Sequence, residues 1–245
     1  LLQIDDEKKT GTLVHSYAVA GGDLKNHISY LHYLLTNFNV EMICIDNAGY
    51  QFIDSATQSE LFNRSGTKLG FFEFNSNAEG ADYQKALKEA KAKYNKDLGN
   101  ICFKQIFTSD FIRRANEYLQ TSIDHKKIWF SSKTTANGSV FDKTVNQRVP
   151  IKETNAENIL DLIEIQDDLI HQTKKQCALI EVKSTARGTQ TFDLPLHLKR
   201  STSANRARRD NYTTLMLANW ALRSYFDMKE LKVEEVASTF VPRLI

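Results

Sequence analysis

A chain of 245 residues, 41% hydrophobic and 25% charged, has the make-up of an ordinary globular protein and enough apolar residues for a sizeable core. Its 32 basic and 30 acidic residues leave a formal net charge of only +2, so affinity for nucleic acid has to come from local clustering and not from the global field. No stretch approaches the ~20 apolar residues of a spanning helix and no basic-then-apolar leader stands out, while three scattered cysteines (Cys44, Cys102, Cys177) read as reduced core residues of a cytosolic protein.

The segments Leu1 to Ile4 and Thr12 to Val19 flank a polar stretch, Asp5 to Gly11, and predict a β-hairpin. After Gly21-Gly22, the spacing of Leu24, Ile28, Leu31, Leu34 and Leu35 predicts a helix that feeds the apolar strand Met42 to Asp46. A second helix is expected over Phe52 to Phe62 and a strand over Lys68 to Phe74. Asp82 to Tyr94 is an Ala/Lys/Glu helix with little apolar face, placed in a surface insertion around residues 75–98. Ile101 to Phe107 predicts a strand, Thr108-Ser109-Asp110 a cap for a helix from Phe111 to Ile123, and Ile128 to Phe130 a short strand. Ser, Thr, Asn and Lys dominate Ser131 to Pro150, which reads as a mobile loop. Thr154 to Glu157 is a capping box before a long helix through Ile170. A strand over Ala178 to Val182, a hairpin containing Gly188, the strand Thr191 to Leu194 and a helix opening at Asp210 complete the pattern. Trp129 and Trp220 lie within apolar runs and are assigned to the core. Strands and helices alternate after an opening hairpin, which predicts a mixed-sheet α/β fold flanked by helices.

The densest basic patch is Lys199, Arg200, Arg206, Arg208 and Arg209, eleven residues from first to last without one acid. It runs directly into Asp210 and the apolar helix Thr213 to Ala221. Arginines neutralise phosphates and a carboxylate ligates a hard divalent cation, so the juxtaposition suits a site that binds and attacks a phosphodiester. Asp46 is the matching second acid, at the end of a buried strand, where open α/β sheets carry their chemistry. Each residue also has a purely structural reading. Asp46 can cap the next helix, Asp210 can complement a helix dipole, and the basic run can be a solvated loop. Lys183 and Arg187 extend the basic surface or are edge-strand charges. The histidines lack the spacing of a zinc helix, and neither a nucleophile elbow nor a P-loop occurs.

Met42 to Gly49, Ala178 to Lys183, and Arg208 to Ala218 together resemble the nuclease domain of phage terminase large subunits, the DNA-packaging motors of tailed phages and prophages. The resemblance implies one RNase H-like nuclease domain over residues 1–245 and two-metal cleavage of concatemeric double-stranded DNA with Mg²⁺ or Mn²⁺. It makes Asp46 and Asp210 the catalytic metal ligands, and gives Lys199, Arg200, Arg206, Arg208 and Arg209 the DNA contacts. It also implies an ATPase domain in the same full-length chain, a small terminase subunit and a portal protein as partners, and the bacterial host cytoplasm as location. The family's first-strand acid is expected upstream of Leu1, making this an excised domain that lacks its first strand; Asp5 is the fallback. Two other readings are carried: a non-catalytic module that guides DNA and docks on the portal through Phe240 to Ile245, and another RNase H-like nuclease such as a junction resolvase.

Overall fold

The computed structural model describes residues 1–17, 23–46, 50–74, 85, 88, 89, 101–131, 139–142, 147–150, 169–184, 190–196 and 210–238. The chain opens with β1 (Leu2–Asp5) and β2 (Thr10–Leu13), an antiparallel hairpin with Leu2 opposite Leu13 and Asp5 opposite Thr10. Next come α1 (Leu24–Asn37), β3 (Ile43–Asp46), α2 (Tyr50–Gln58), β4 (Gly70–Phe74) and β5 (Ile101–Gln105). They are followed by α3 (Ser109–Asp124), β6 (Ile128–Phe130), β7 (Ser139–Asp142) and β8 (Gln147–Pro150). The last elements are the helical stretch 169–179, here α4, then β9 (Glu181–Ser184), β10 (Gln190–Asp193) and α5 (Asp210–Ser238).

Local signals set these elements. Asp23 caps α1 by accepting from the Lys25 N–H at 3.1 Å. Thr108 caps α3 by accepting from the Phe111 N–H at 3.1 Å, satisfying a donor the first turn would otherwise leave orphaned. The second helix ends at Gln58, short of the expected Phe62. Asn63 Oδ1 accepts from the backbones of Ser65 and Thr67, and the resulting turn lets Phe62 pair with Lys68 instead of continuing the helix.

Two three-stranded sheets share one helix. In the first, β3, β5 and β4 are all parallel in the order β3-β5-β4. Period-two alternation divides its residues. Ile43, Ile45, Phe71 and Cys102 pack with Ile28 and Leu35 of α1 and Ala56 of α2, whereas Cys44 packs with Phe111 of α3 and Trp220 of α5. Helices thus cover both faces, the usual condition of a parallel sheet. In the second sheet β2 is central, antiparallel to β1 and parallel to β6. Its inner residues Leu2, Ile4, Ile128 and Phe130 join the same core, and Gly11 of β2 lies so close to Leu222 that a Cβ there would come within 2.8 Å of the leucine Cδ2.

Several expectations are corrected. Trp220 is 3% exposed and belongs to the core, but Trp129 is 51% exposed: its neighbours Ile128 and Phe130 point inward, so alternation turns it out. The segment 131–150 is not simply a loop, since β7 and β8 pair antiparallel with Val140 opposite Val149. The expected strand at Ala178 begins only at Glu181, because Ile170, Thr173 and Cys177 continue a helical stripe. The mixed α/β architecture is present, and among the described residues its strands form several small sheets, with β9 and β10 a separate antiparallel pair. Of the expected helix over Asp82 to Tyr94, Lys85, Lys88 and Glu89 are described and are helical; most of the helix through Ile170 and all of Lys199 to Arg209 lie outside the described residues.

Candidate functional site

Asp46 ends β3 opposite Gln105 of β5. It lies two residues beyond Cys44, which faces α5, so period two sets the carboxylate on the same side of the sheet. Burial first, and then the negative charge of Asp46, push the Cys44 thiol up to about 12. Asp210 is the first residue of α5 and is exposed. An acid there complements the positive end of the helix dipole, so the structural reading of Asp210 is satisfied whatever else it does.

Three residues from three helices meet just inside that helix start. The Tyr212 N–H donates to Gln176 Oε1 of α4 at 2.9 Å, and the Tyr212 hydroxyl donates to Asn116 Oδ1 of α3. Asn116 in turn donates through Nδ2 to the Ile112 carbonyl at 2.6 Å. Asn116 is 3% exposed and Tyr212 7%. Gln176 and Asn116 stand 36 and 96 residues from Tyr212, so no sequence window contains the arrangement.

Between β3, β5 and α5 runs a crevice of about 10 Å³ lined by Met42, Cys44, Phe103, Gln105, Trp220, Ala221 and Ser224. It has room for one water and none for a nucleotide. A polymeric substrate would therefore have to lie on the surface, across the strand ends and the start of α5.

Asp5 does not join these acids. Its carboxylate accepts from the Lys8 backbone and ammonium, both at 3.0 Å, and these bonds hold it below the usual carboxylate range. Its neighbour Asp6 accepts from Tyr225 and pairs with Lys229 at 2.7 Å. That anchors the hairpin turn at the far half of α5, about 22 Å along the axis from Asp210 at 1.5 Å per residue. Lys183 is paired with Glu181 at 2.6 Å; Arg187, Lys199, Arg200, Arg206, Arg208 and Arg209 lie outside the described residues. Among the described residues no group of three or more His, Cys, Asp or Glu side chains is gathered as a metal cluster, and no helix is long and apolar enough to cross a membrane. No protein-family model, curated protein or solved structure matches the chain.

Proposed function

We propose that the chain is a metal-dependent DNA endonuclease domain of the terminase large-subunit type, with an RNase H-like fold. Asp46 and Asp210 would hold Mg²⁺ or Mn²⁺, and Lys199 to Arg209 would contact DNA phosphates. The observation that carries this reading is the direct packing of β3, which ends on Asp46, against α5, which begins on Asp210. Glu41, just before β3, lies near Tyr225; after burial and the Lys229 hydrogen bond, its charge is among the influences on that phenol. Met42 and Cys44 share a crevice with Trp220, Ala221 and Ser224.

The donor chemistry fits the ions. Two carboxylates are hard oxygen ligands, and Mg²⁺ is commonly held by one or two carboxylates with waters and substrate phosphates completing the shell. When bound, a pair of such cations supplies an acidified water and a counter-charge for the leaving oxygen. The side chains hold and orient: Asp46 from the rigid end of a parallel strand, Asp210 from a helix start fixed against α3 and α4. Lysine and arginine contacts to phosphates carry no sequence information, so cutting would depend on position within the packaging machine, in which the ATPase domain, small subunit and portal are the expected partners.

Plasmid cleavage tests this reading with Mn²⁺, Mg²⁺ and EDTA, comparing the chain with Asp46→Asn and Asp210→Asn. Metal-dependent nicking that either substitution lowers by at least ~100-fold is expected; cleavage retained in Asp210→Asn sinks the assignment. A non-catalytic DNA-guiding and portal-docking module would instead show DNA binding that is indifferent to EDTA and to both Asp substitutions.

A further inference from the structure

We infer that Gln176 and Asn116 are positioning residues for the Asp210 carboxylate, a role that rests on the nuclease reading above. A helix leaves its first N–H groups without intrahelical acceptors, and the residue just before the helix normally supplies one from its side chain. In α5 an acceptor comes from another helix: Gln176 Oε1 receives the Tyr212 N–H at 2.9 Å. Asn116 fixes the same residue at its other end by accepting from the Tyr212 hydroxyl, and is itself oriented by its bond to the Ile112 carbonyl.

Tyr212 is thus gripped at both its backbone and its side-chain tip, two residues beyond Asp210. The grip is buried at the Asn116 end, where a lost partner would leave a polar atom unsatisfied. It ties the first turn of α5 to α3, which supplies the core residue Phe111, and to α4, which reaches the same core through Cys177. A metal ligand at an untethered helix end would fray with its turn. One held this way keeps its direction, which is how outer residues tune the affinity of the ligands they support.

Gln176→Met removes the acceptor at nearly constant length, and Gln176→Glu keeps it. Mn²⁺ affinity measured by calorimetry on the whole chain is expected to fall about tenfold in Gln176→Met and to return within about threefold of the parent in Gln176→Glu. Amide exchange over residues 210–214 should accelerate in the Met variant alone, with the protection of α3 unchanged. Faster exchange at unaltered Mn²⁺ affinity would leave the grip as plain scaffolding and overturn the positioning role. Asp210→Asn is run alongside: if it does not weaken Mn²⁺ binding, or if the parent binds none, the nuclease reading itself fails, and the exchange data show separately whether the grip exists.

Discussion

Gly11 is where the opening hairpin meets α5, and an added methyl group measures how tightly. The Cβ of Gly11→Ala would lie 2.8 Å from Leu222 Cδ2 and 3.5 Å from both Ile128 Cδ1 and Leu2 Cδ1. Ordinary carbon contacts are ~3.5–4.0 Å, so the leucine methyl has to retreat by about 0.7–1.2 Å while its own residue is only 6% exposed. Overpacking of this kind costs roughly 1–3 kcal/mol, and restricting the unfolded chain returns about 0.4–1 kcal/mol. The net expectation is destabilisation of about 1 kcal/mol, or a melting temperature lower by ~2–4 °C for a chain of this size. Leu222→Ala alone should cost about 2–5 kcal/mol by leaving a cavity. The double variant should cost less than the sum by at least ~0.5 kcal/mol, because the new methyl occupies space the leucine vacated. Urea unfolding followed by circular dichroism on all four proteins closes the cycle. Additive costs would refute the contact, and with it the seating of β2 on α5.

Three further outcomes are expected. Acrylamide should quench Trp129 and leave Trp220 protected, so Trp129→Phe abolishes most of the quenchable emission; equal quenching of both tryptophans would contradict the outward turn of β6. Burial pushes the Cys177 thiol up to about 11 and Cys102 well above its usual value, so iodoacetamide at pH 8 should label neither until the chain unfolds. Their raised pKa values add stability that is whole below the ordinary thiol value near ~8.5 and is lost as pH rises through the folded values, which alkaline melting curves would register. The hydrogen bond from Lys229, then that from Tyr225, lowers the Asp6 carboxyl. Its contribution is present above the ordinary value near ~3.9 and disappears as pH falls through the folded one. Both partners of the Asp6–Lys229 pair are about half exposed, so Asp6→Asn should cost only about 0.2–1 kcal/mol at pH 7 and nothing at pH 2; an equal deficit at both pH values would mean the loss is not electrostatic.

What could be read from residues in order was the local part of the fold. The opening hairpin was marked, though its second strand is Thr10–Leu13 and not Thr12 to Val19; the cap at Thr108 marked α3 and the apolar run into Asp46 marked β3, because each signal lies within a few residues of what it determines. The assembly was not legible. Nothing near Gly11 announces that it will pair with Ile128, and nothing in either strand set says that both will lean on one helix. The overrun of α4 past Ala178 was legible in principle, from the spacing of Ile170, Thr173 and Cys177, but its polar intervening residues masked the stripe. At the candidate site the strand-end position of Asp46 and the helix-start position of Asp210 were both readable. The grip on Tyr212 was not, since Gln and Asn side chains become partners only through packing that joins distant helices.

The pairing of the opening hairpin with α5 also sets the order in which the molecule can be made. Asp6 meets Tyr225 across 219 residues and Lys9 meets Glu230 across 221. During synthesis, β1 and β2 leave the ribosome long before the helix that covers their inner face exists. Leu2, Ile4 and Leu13 must therefore wait uncovered while the 219 residues that separate Asp6 from Tyr225 are made, at ~5–20 residues per second for tens of seconds. Contacts of such long span make for slow closure as well. A nascent chain of this design would be expected to engage holding chaperones early and to be released only after α5 emerges, so a stop codon before Asp210 would yield a sticky, rapidly degraded fragment in place of a smaller folded protein.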